Sequence, residues 1–273
     1  MRPANSARIV GSLLSIKRHP PVRKRWGQHF LSDPNTIGRI VAQVNPSPGD
    51  NFLEIGPGHG ELTIPLAETG ATVTAVDIDP LLIDELRVRV PANVTLEQGD
   101  ILKADLSLLL ADGARVYGSL PYNISSQIIF KLLEHRRRWT DGHFIVQKEV
   151  AQRMAAGPGS KTYGRLSVML QAFAGVQTVF NLPPTVFKPR PKVDSTLVRI
   201  VPGAPVIGIV NPRRFEVLVR AAFSQRRKKL SNALKSLDAA DAIMELGLAD
   251  LRAEQISVAA FIELSNRGDM QEP

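Results

Sequence analysis

Cysteine is absent from this 273-residue chain. That excludes disulfides, thiolate metal sites and cysteine nucleophiles, and it suits a reducing compartment. The five histidines show neither H-x-x-x-H nor H-E-x-x-H spacing, so no zinc or other metal site is expected. No run of about 18 uncharged apolar residues occurs, so no membrane-spanning helix is expected. There is no G-x-x-x-x-G-K-[ST] phosphate loop either, which disfavours ATP as a ligand. Acid is missing from the whole start of the chain: the first is Asp33.

What is present instead is positive charge. The net charge of +8 and an isoelectric point near 10.0 point to an anionic partner, with nucleic acid the first candidate. Arg2, Arg8, Lys17, Arg18, Arg23, Lys24 and Arg25 crowd the start, and Arg226-Arg227-Lys228-Lys229 form a second cluster. A hydrophobic content of 44% supports a core, and the length allows one large domain plus a small one. Residues 1–22 carry no helix caps and no clear periodicity, and read as a flexible basic arm. An organelle transit peptide is also compatible with an acid-poor start, but the amphipathic pattern is poor and a cytoplasmic protein is expected.

From Asp33-Pro34, an N-cap followed by proline at the first helical position, a helix is expected to about Val44. Strands and helices then alternate, the pattern of a parallel sheet covered by helices. Strands are expected at Asn51–Ile55, Thr72–Val76, Val94–Gln98, Arg115–Gly118 and His143–Gln147. Helices are expected at Glu61–Glu68, from Pro80 to about Val90, at Ser125–His135, Lys148–Ala156 and roughly Tyr163–Phe173. Val176–Phe180 and Ser195–Val201 read as a closing hairpin joined by the proline-rich Pro183–Pro191. Beyond Pro202-Gly-Ala-Pro205 only helical patterns remain, which puts a domain boundary near 204. The reading is a doubly wound α/β domain over 23–204 and a small helical domain over 205–273.

Gly56-x-Gly58-x-Gly60 follows a strand and opens a helix, as a turn must where backbone comes close to a ligand. Its spacing is not the dinucleotide G-x-G-x-x-G, which counts against NAD. Asp77 ends the next strand, 21 residues after Gly56, where a carboxylate can accept from ribose hydroxyls. Asp100 ends the strand after that and can accept from an adenine amino group. A ribose and an adenine without phosphates fit S-adenosylmethionine best. Ser119-Leu120-Pro121-Tyr122 lies at the end of a further strand, where open α/β sheets place their ligands. A stiff turn carrying an aromatic ring and a hydroxyl suits a flat base with a reactive amino group.

These pieces carry a resemblance. Lys24-Arg-Trp-Gly-Gln-His-Phe-Leu31, Glu54-Ile-Gly-Pro-Gly58, Leu120-Pro-Tyr-Asn-Ile-Ser125 and Gln147-Lys-Glu149 occur in order. So do Tyr163-Gly-Arg-Leu-Ser-Val168, Phe187-x-Pro189-x-Pro191-Lys-Val-Asp-Ser195 and Phe223-Ser-Gln-Arg-Arg-Lys228. From about Arg23 to Leu264 the chain resembles the bacterial small-subunit rRNA adenine dimethyltransferases, whose wider family includes the erythromycin-resistance methylases. The resemblance implies a Rossmann-like class I methyltransferase sheet and S-adenosylmethionine as methyl donor. It assigns Gln28, His29, Leu31, Gly56, Gly58, Asp77, Ile78, Asp100, Ile101 and Ser119 to the cofactor. It assigns Ser119, Leu120, Pro121 and Tyr122 to the target amine, with Phe187 covering the target base.

The implied substrate is a pair of adjacent adenines in the terminal hairpin of small-subunit rRNA, each methylated twice on N6. The implied partner is that rRNA in a pre-30S particle, met by a monomer without membrane or metal. Arg226, Arg227, Lys228 and Lys229 are expected to reach phosphates. The chain departs from the family in having His29 and Ser119 where Asn is usual, and Asp77 where Glu is usual. A hydroxyl reaches less far than a carboxamide. An RNA-binding assembly factor with weak or no catalysis therefore stays open, as does a large-subunit methyltransferase conferring macrolide resistance.

Overall fold

Helix starts in this chain follow one recipe. Asp33, Asp79 and Asn211 each stand at an N-cap with proline at the next position, and each side chain accepts a backbone N–H of the first turn. The structure is a computed structural model that describes residues 23, 26–203, 208–237 and 239–267. The basic arm expected over 1–22 lies outside the described residues.

In chain order the first elements are β1 (Phe30–Leu31), α1 (Pro34–Val44), β2 (Asn51–Ile55), α2 (Thr63–Ala67), β3 (Thr72–Asp77), α3 (Pro80–Arg87) and β4 (Val94–Gln98). There follow α4 (Leu106–Leu109), β5 (Ala114–Ser119), α5 (Ser125–Glu134), β6 (Trp139–Gln147), α6 (Lys148–Met154) and α7 (Arg165–Gln171). Then come β7 (Ala174–Leu182), β8 (Phe187–Lys188), β9 (Ser195–Pro202), α8 (Pro212–Ser224), α9 (Leu230–Ala233), α10 (Ala240–Glu245) and α11 (Val258–Asn266).

Seven strands form one sheet in the order β4-β3-β2-β5-β6-β9-β7. The run from β4 to β6 is parallel, and β9 pairs antiparallel with both β6 and β7. Alternation along the strands feeds two apolar layers. Phe52, Val73, Ala75 and Tyr117 join Ile40 and Val44 of α1 and Leu66 of α2 on one face. Leu53, Ile55, Val116 and Phe144 join Ile128, Ile129 and Leu132 of α5 on the other. Both faces are thus covered, which is the condition for a parallel sheet.

The expected strands and helices are present, α4 is an addition to them, and three further differences have physical causes. The helix expected from Glu61 begins only at Thr63, because Gly56, Gly58 and Gly60 all hold left-handed φ and stretch the preceding turn. β6 reaches back to Trp139, since β5 pairs with it from that residue onward, while β9 joins on the other side only from Gly142. The proline-rich connector contains β8, which pairs with β1 as a separate small sheet. Neither two-residue strand has a periodic signal of its own.

After β9 the described chain is helical. Phe215, Leu218 and Val219 of α8 and Phe261 and Ile262 of α11 pack with Tyr163, Val168 and Ala172 around α7. Tyr163 also donates its hydroxyl to the Ile256 carbonyl at 2.9 Å. The helical part is therefore seated on α7 through a shared apolar layer.

Candidate active site

The strand order turns at the junction of β2 and β5, and there the chain brings two turns together. Gly118 lies so close to β2 that a Cβ on it would stand 2.3 Å from the Ile55 carbonyl oxygen. One residue further along each strand, a Cβ on Gly56 would stand 3.4 Å from the Ser119 carbonyl oxygen. The glycine turn and the Leu-Pro-Tyr corner are therefore neighbours in one crevice at the carboxyl edge of the sheet, the position expected for a ligand.

One cavity fills this crevice. Its wall includes Gln28, His29 and Leu31 from the β1 segment, Gly56 and Gly58 from the glycine turn, Asp77 and Ile78 after β3, and Asp100 and Ile101 after β4. Ser119, Leu120, Pro121 and Tyr122 close it from β5. Four carboxyl residues, Glu54, Glu61, Asp77 and Asp100, line it, and no lysine or arginine is among the described lining residues.

Three of those acids have raised pKa values, with burial the largest cause in each. The Asp77 carboxyl stands at about 6, partly offset by the Asp79 N–H, which donates to Oδ1 at 2.8 Å. Glu61 stands at about 7. Glu54, 1% exposed, is pushed up to about 8 although its Oε2 accepts from the Thr63 hydroxyl at 2.5 Å and the Tyr117 hydroxyl at 2.8 Å. Asp100 Oδ1 accepts the Leu102 N–H at 3.0 Å.

The corner is braced from behind. The Tyr122 hydroxyl is hydrogen-bonded to Ser195 Oγ at 2.6 Å, at the start of β9. Its ring is stacked on His29 with centroids 5.6 Å apart and planes 24° apart. His29 donates from Nδ1 to the Pro189 carbonyl at 2.8 Å, which ties the cavity rim to the β8 loop. The Pro121 carbonyl already accepts the Ile124 N–H at 3.1 Å. The Leu120 carbonyl is the freer acceptor at the corner, beside the Ser119 hydroxyl.

Phe187, expected to cover the target base, lies outside the cavity lined by the other residues expected at the cofactor and the target amine. It is absent from the cavity wall and only 1% exposed. In β8 it pairs in register with Leu31 and packs in the layer that holds Ile145 and Leu197. Its ring supports the β1 segment. That segment is held from its other end as well: Gln28 donates to Asp79 Oδ2 at 3.0 Å and accepts the Arg23 N–H at 2.7 Å.

Comparison with known proteins decides the family. The sequence profile described as "Ribosomal RNA adenine dimethylase" matches residues 21–268. The chain belongs to the ribosomal RNA adenine dimethylase family. It is 46% identical to the ribosomal RNA small subunit methyltransferase A of Xylella fastidiosa, covering 90% of this chain and 96% of that protein. It is 48% identical to that of Xanthomonas axonopodis pv. citri, with the same coverage. Among solved structures it is similar to a dimethyladenosine transferase from Plasmodium falciparum at 27% identity and a TM-score of 0.77, covering 86% of this chain and 96% of that one. It is also similar to the 23S rRNA methyltransferase ErmE at 26% identity and a TM-score of 0.68, covering 88% and 100%.

A ribosomal RNA adenine dimethylase is an enzyme that uses S-adenosylmethionine, and the cavity suits that donor. Glycine backbone leaves room at the turn, and a wall of four carboxyls without a lysine or arginine favours a cationic ligand over a phosphate. In this dimethylase the sequence reading missed Glu54, Glu61 and Ser195. Glu54 carried a signal, being a carboxyl within the apolar run Phe52-Leu53-Glu54-Ile55. Ser195 carried none, since only the tertiary fold brings β9 behind Tyr122.

The basic residues of the dimethylase sort by partner. Arg226 pairs with Glu254 at 2.6 Å and donates to the Lys161 carbonyl at 2.7 Å. Lys229 pairs with Asp250 at 2.7 Å. Arg227 and Lys228 are exposed, as are Lys188, Arg190 and Lys192 on the loop that His29 holds at the cavity rim. No helix among the described residues is long and apolar enough to cross a membrane.

Proposed function

We propose that this chain, acting as a monomer on a pre-30S particle in the cytoplasm, dimethylates N6 of two adjacent adenines in the 3′-terminal hairpin of small-subunit rRNA. The carrying observation is that a Cβ on Gly56 would stand only 3.4 Å from the Ser119 carbonyl oxygen, because turn and corner this close leave donor and acceptor one shared crevice. Choice of the small subunit is supported by 46–48% identity to small-subunit methyltransferases over 96% of their length, against 26% to the large-subunit enzyme.

Bound S-adenosylmethionine supplies an electrophilic methyl group on a sulfonium. Asp77 is suited to accept from its ribose and Asp100, through Oδ2, from its adenine amino group. An adenine amine is a poor nucleophile because its lone pair is conjugated with the ring. The Ser119 hydroxyl and the Leu120 carbonyl accept its two hydrogens and favour a pyramidal nitrogen aimed into the cavity. His29 covers one face of Tyr122, so the flipped adenine stacks on the other, a contact worth roughly 1–3 kcal/mol. Holding two reactants in line is the larger source of rate, and the amine's proton passes to water.

Arg227 and Lys228 contact phosphates from the helical side, and the basic loop beside His29 holds the strand next to the flipped base. Arg226 and Lys229 contribute by exchanging their exposed ion pairs, which are worth little in water. Mass spectrometry of rRNA from cells lacking the gene tests the reading. The two adjacent adenines should be unmethylated and regain their methyl groups with the restored chain. Full methylation without the gene would refute it, and unmethylated large-subunit adenines instead would move the assignment to that subunit.

A further inference from the structure

Of the four carboxyls on the cavity wall, three are engaged or placed for the nucleoside. Glu54 is buried with its Oε2 accepting from both Thr63 and Tyr117, while Asp77 and Asp100 stand at the ends of β3 and β4. Glu61 remains. Its Oε2 accepts the His59 N–H at 3.1 Å, and it lies at the glycine turn, 3.3 Å from where a Gly58 Cβ would stand. Along the sheet edge the order is β4, β3, β2, β5. A nucleoside with its adenine at Asp100 and its ribose at Asp77 therefore sends its amino-acid end over the β2 turn toward Ser119. That end carries an ammonium.

We infer that Glu61 is the counter-ion of the α-ammonium at the methionyl end of the donor. The inference rests on the ribose being at Asp77. Burial raises the Glu61 carboxyl to about 7, so an arriving ammonium draws it into the charged form and expels a proton near neutral pH. The charged groups acting on Glu61 are Arg89, which favours its ionisation, and Glu85 and Glu54, which oppose it. His59 bridges to Glu85 at 2.8 Å on the same side.

Calorimetry on the full chain with two ligands tests this. S-adenosylhomocysteine carries the amino-acid end, and 5′-methylthioadenosine has the same nucleoside without it. Glu61→Gln keeps the size and the hydrogen-bond acceptor but removes the charge. It should weaken S-adenosylhomocysteine about tenfold, since charge-assisted hydrogen bonds are roughly twice as strong as neutral ones, and leave 5′-methylthioadenosine unchanged. Proton release on binding near pH 7, read from buffers of different ionisation enthalpy, should fall in the variant for the first ligand only. An unchanged S-adenosylhomocysteine affinity, or equal losses for both ligands, would overturn the assignment. Failure of the wild-type chain to bind either ligand would overturn the donor site itself.

Discussion

At the scale of single residues, Ser119 and Glu54 make opposite demands on the cavity. In the proposed reaction Ser119 accepts from the substrate, and its hydroxyl is short. Ser119→Ala should slow single-turnover methyl transfer about 10²–10³-fold, the usual cost of one lost transition-state hydrogen bond. Ser119→Asn should accelerate it about tenfold, because partial replacement by water limits what the serine now loses. A slower asparagine variant would mean the crevice is shaped to the hydroxyl. Glu54 faces inward and is held nearer its neutral form. Its folded pKa of about 8 lies above the ordinary 4.5, so the fold binds its proton more tightly than the unfolded chain does. That contribution to stability is complete below about pH 4.5 and is lost as pH rises through about 8. Glu61 and Asp77 act in the same direction up to about 7 and 6. Urea midpoints should therefore fall less between pH 5 and 8 in Glu54→Gln than in the wild type. Parallel curves would contradict the buried neutral carboxyl.

At the scale of elements, the approach of β2 and β5 is the feature on which the crevice depends. Gly118→Ala would force a Cβ to within 2.3 Å of the Ile55 carbonyl oxygen, and backbone on both sides cannot yield cheaply. The variant should lose at least about 2 kcal/mol of stability and lose cofactor binding with it, measured by denaturation and calorimetry. A well-folded variant that binds S-adenosylhomocysteine normally would show that the strands can spread. The β-strand and α-helix pattern was legible because each periodic run is local, and capped starts such as Asp33-Pro34 announce themselves. The β1·β8 pair was not legible. Phe30 and Lys188 meet only through the fold, and that pairing seats Phe187 as a buried support of β1.

At the scale of the molecule, positive charge surrounds an acidic cavity. The chain carries +8 overall, yet the lining described for the donor cavity has four carboxyls and no lysine or arginine. On the proposed function, that arrangement draws RNA to the rim and a cationic donor inside. Arg227→Glu with Lys228→Glu should weaken rRNA binding and lower its salt slope by about one for each lost phosphate contact. The calorimetric affinity for S-adenosylhomocysteine should not move. An unchanged salt slope would remove these two residues from the interface, leaving the Lys188, Arg190 and Lys192 rim to carry it.

The sequence alone determined the alternation of strands and helices, the glycine turn, the acids that end β3 and β4, and the serine-headed corner after β5. Each is set within a few residues by periodicity, by φ > 0 at glycine or by a cap. Only the tertiary structure decided which side chains face each other. It put Ser195 behind Tyr122, His29 over that ring, Phe187 in the core and Glu61 on the cavity wall. The physical reason is that burial and charge environment depend on residues far away in the chain, which no local pattern encodes.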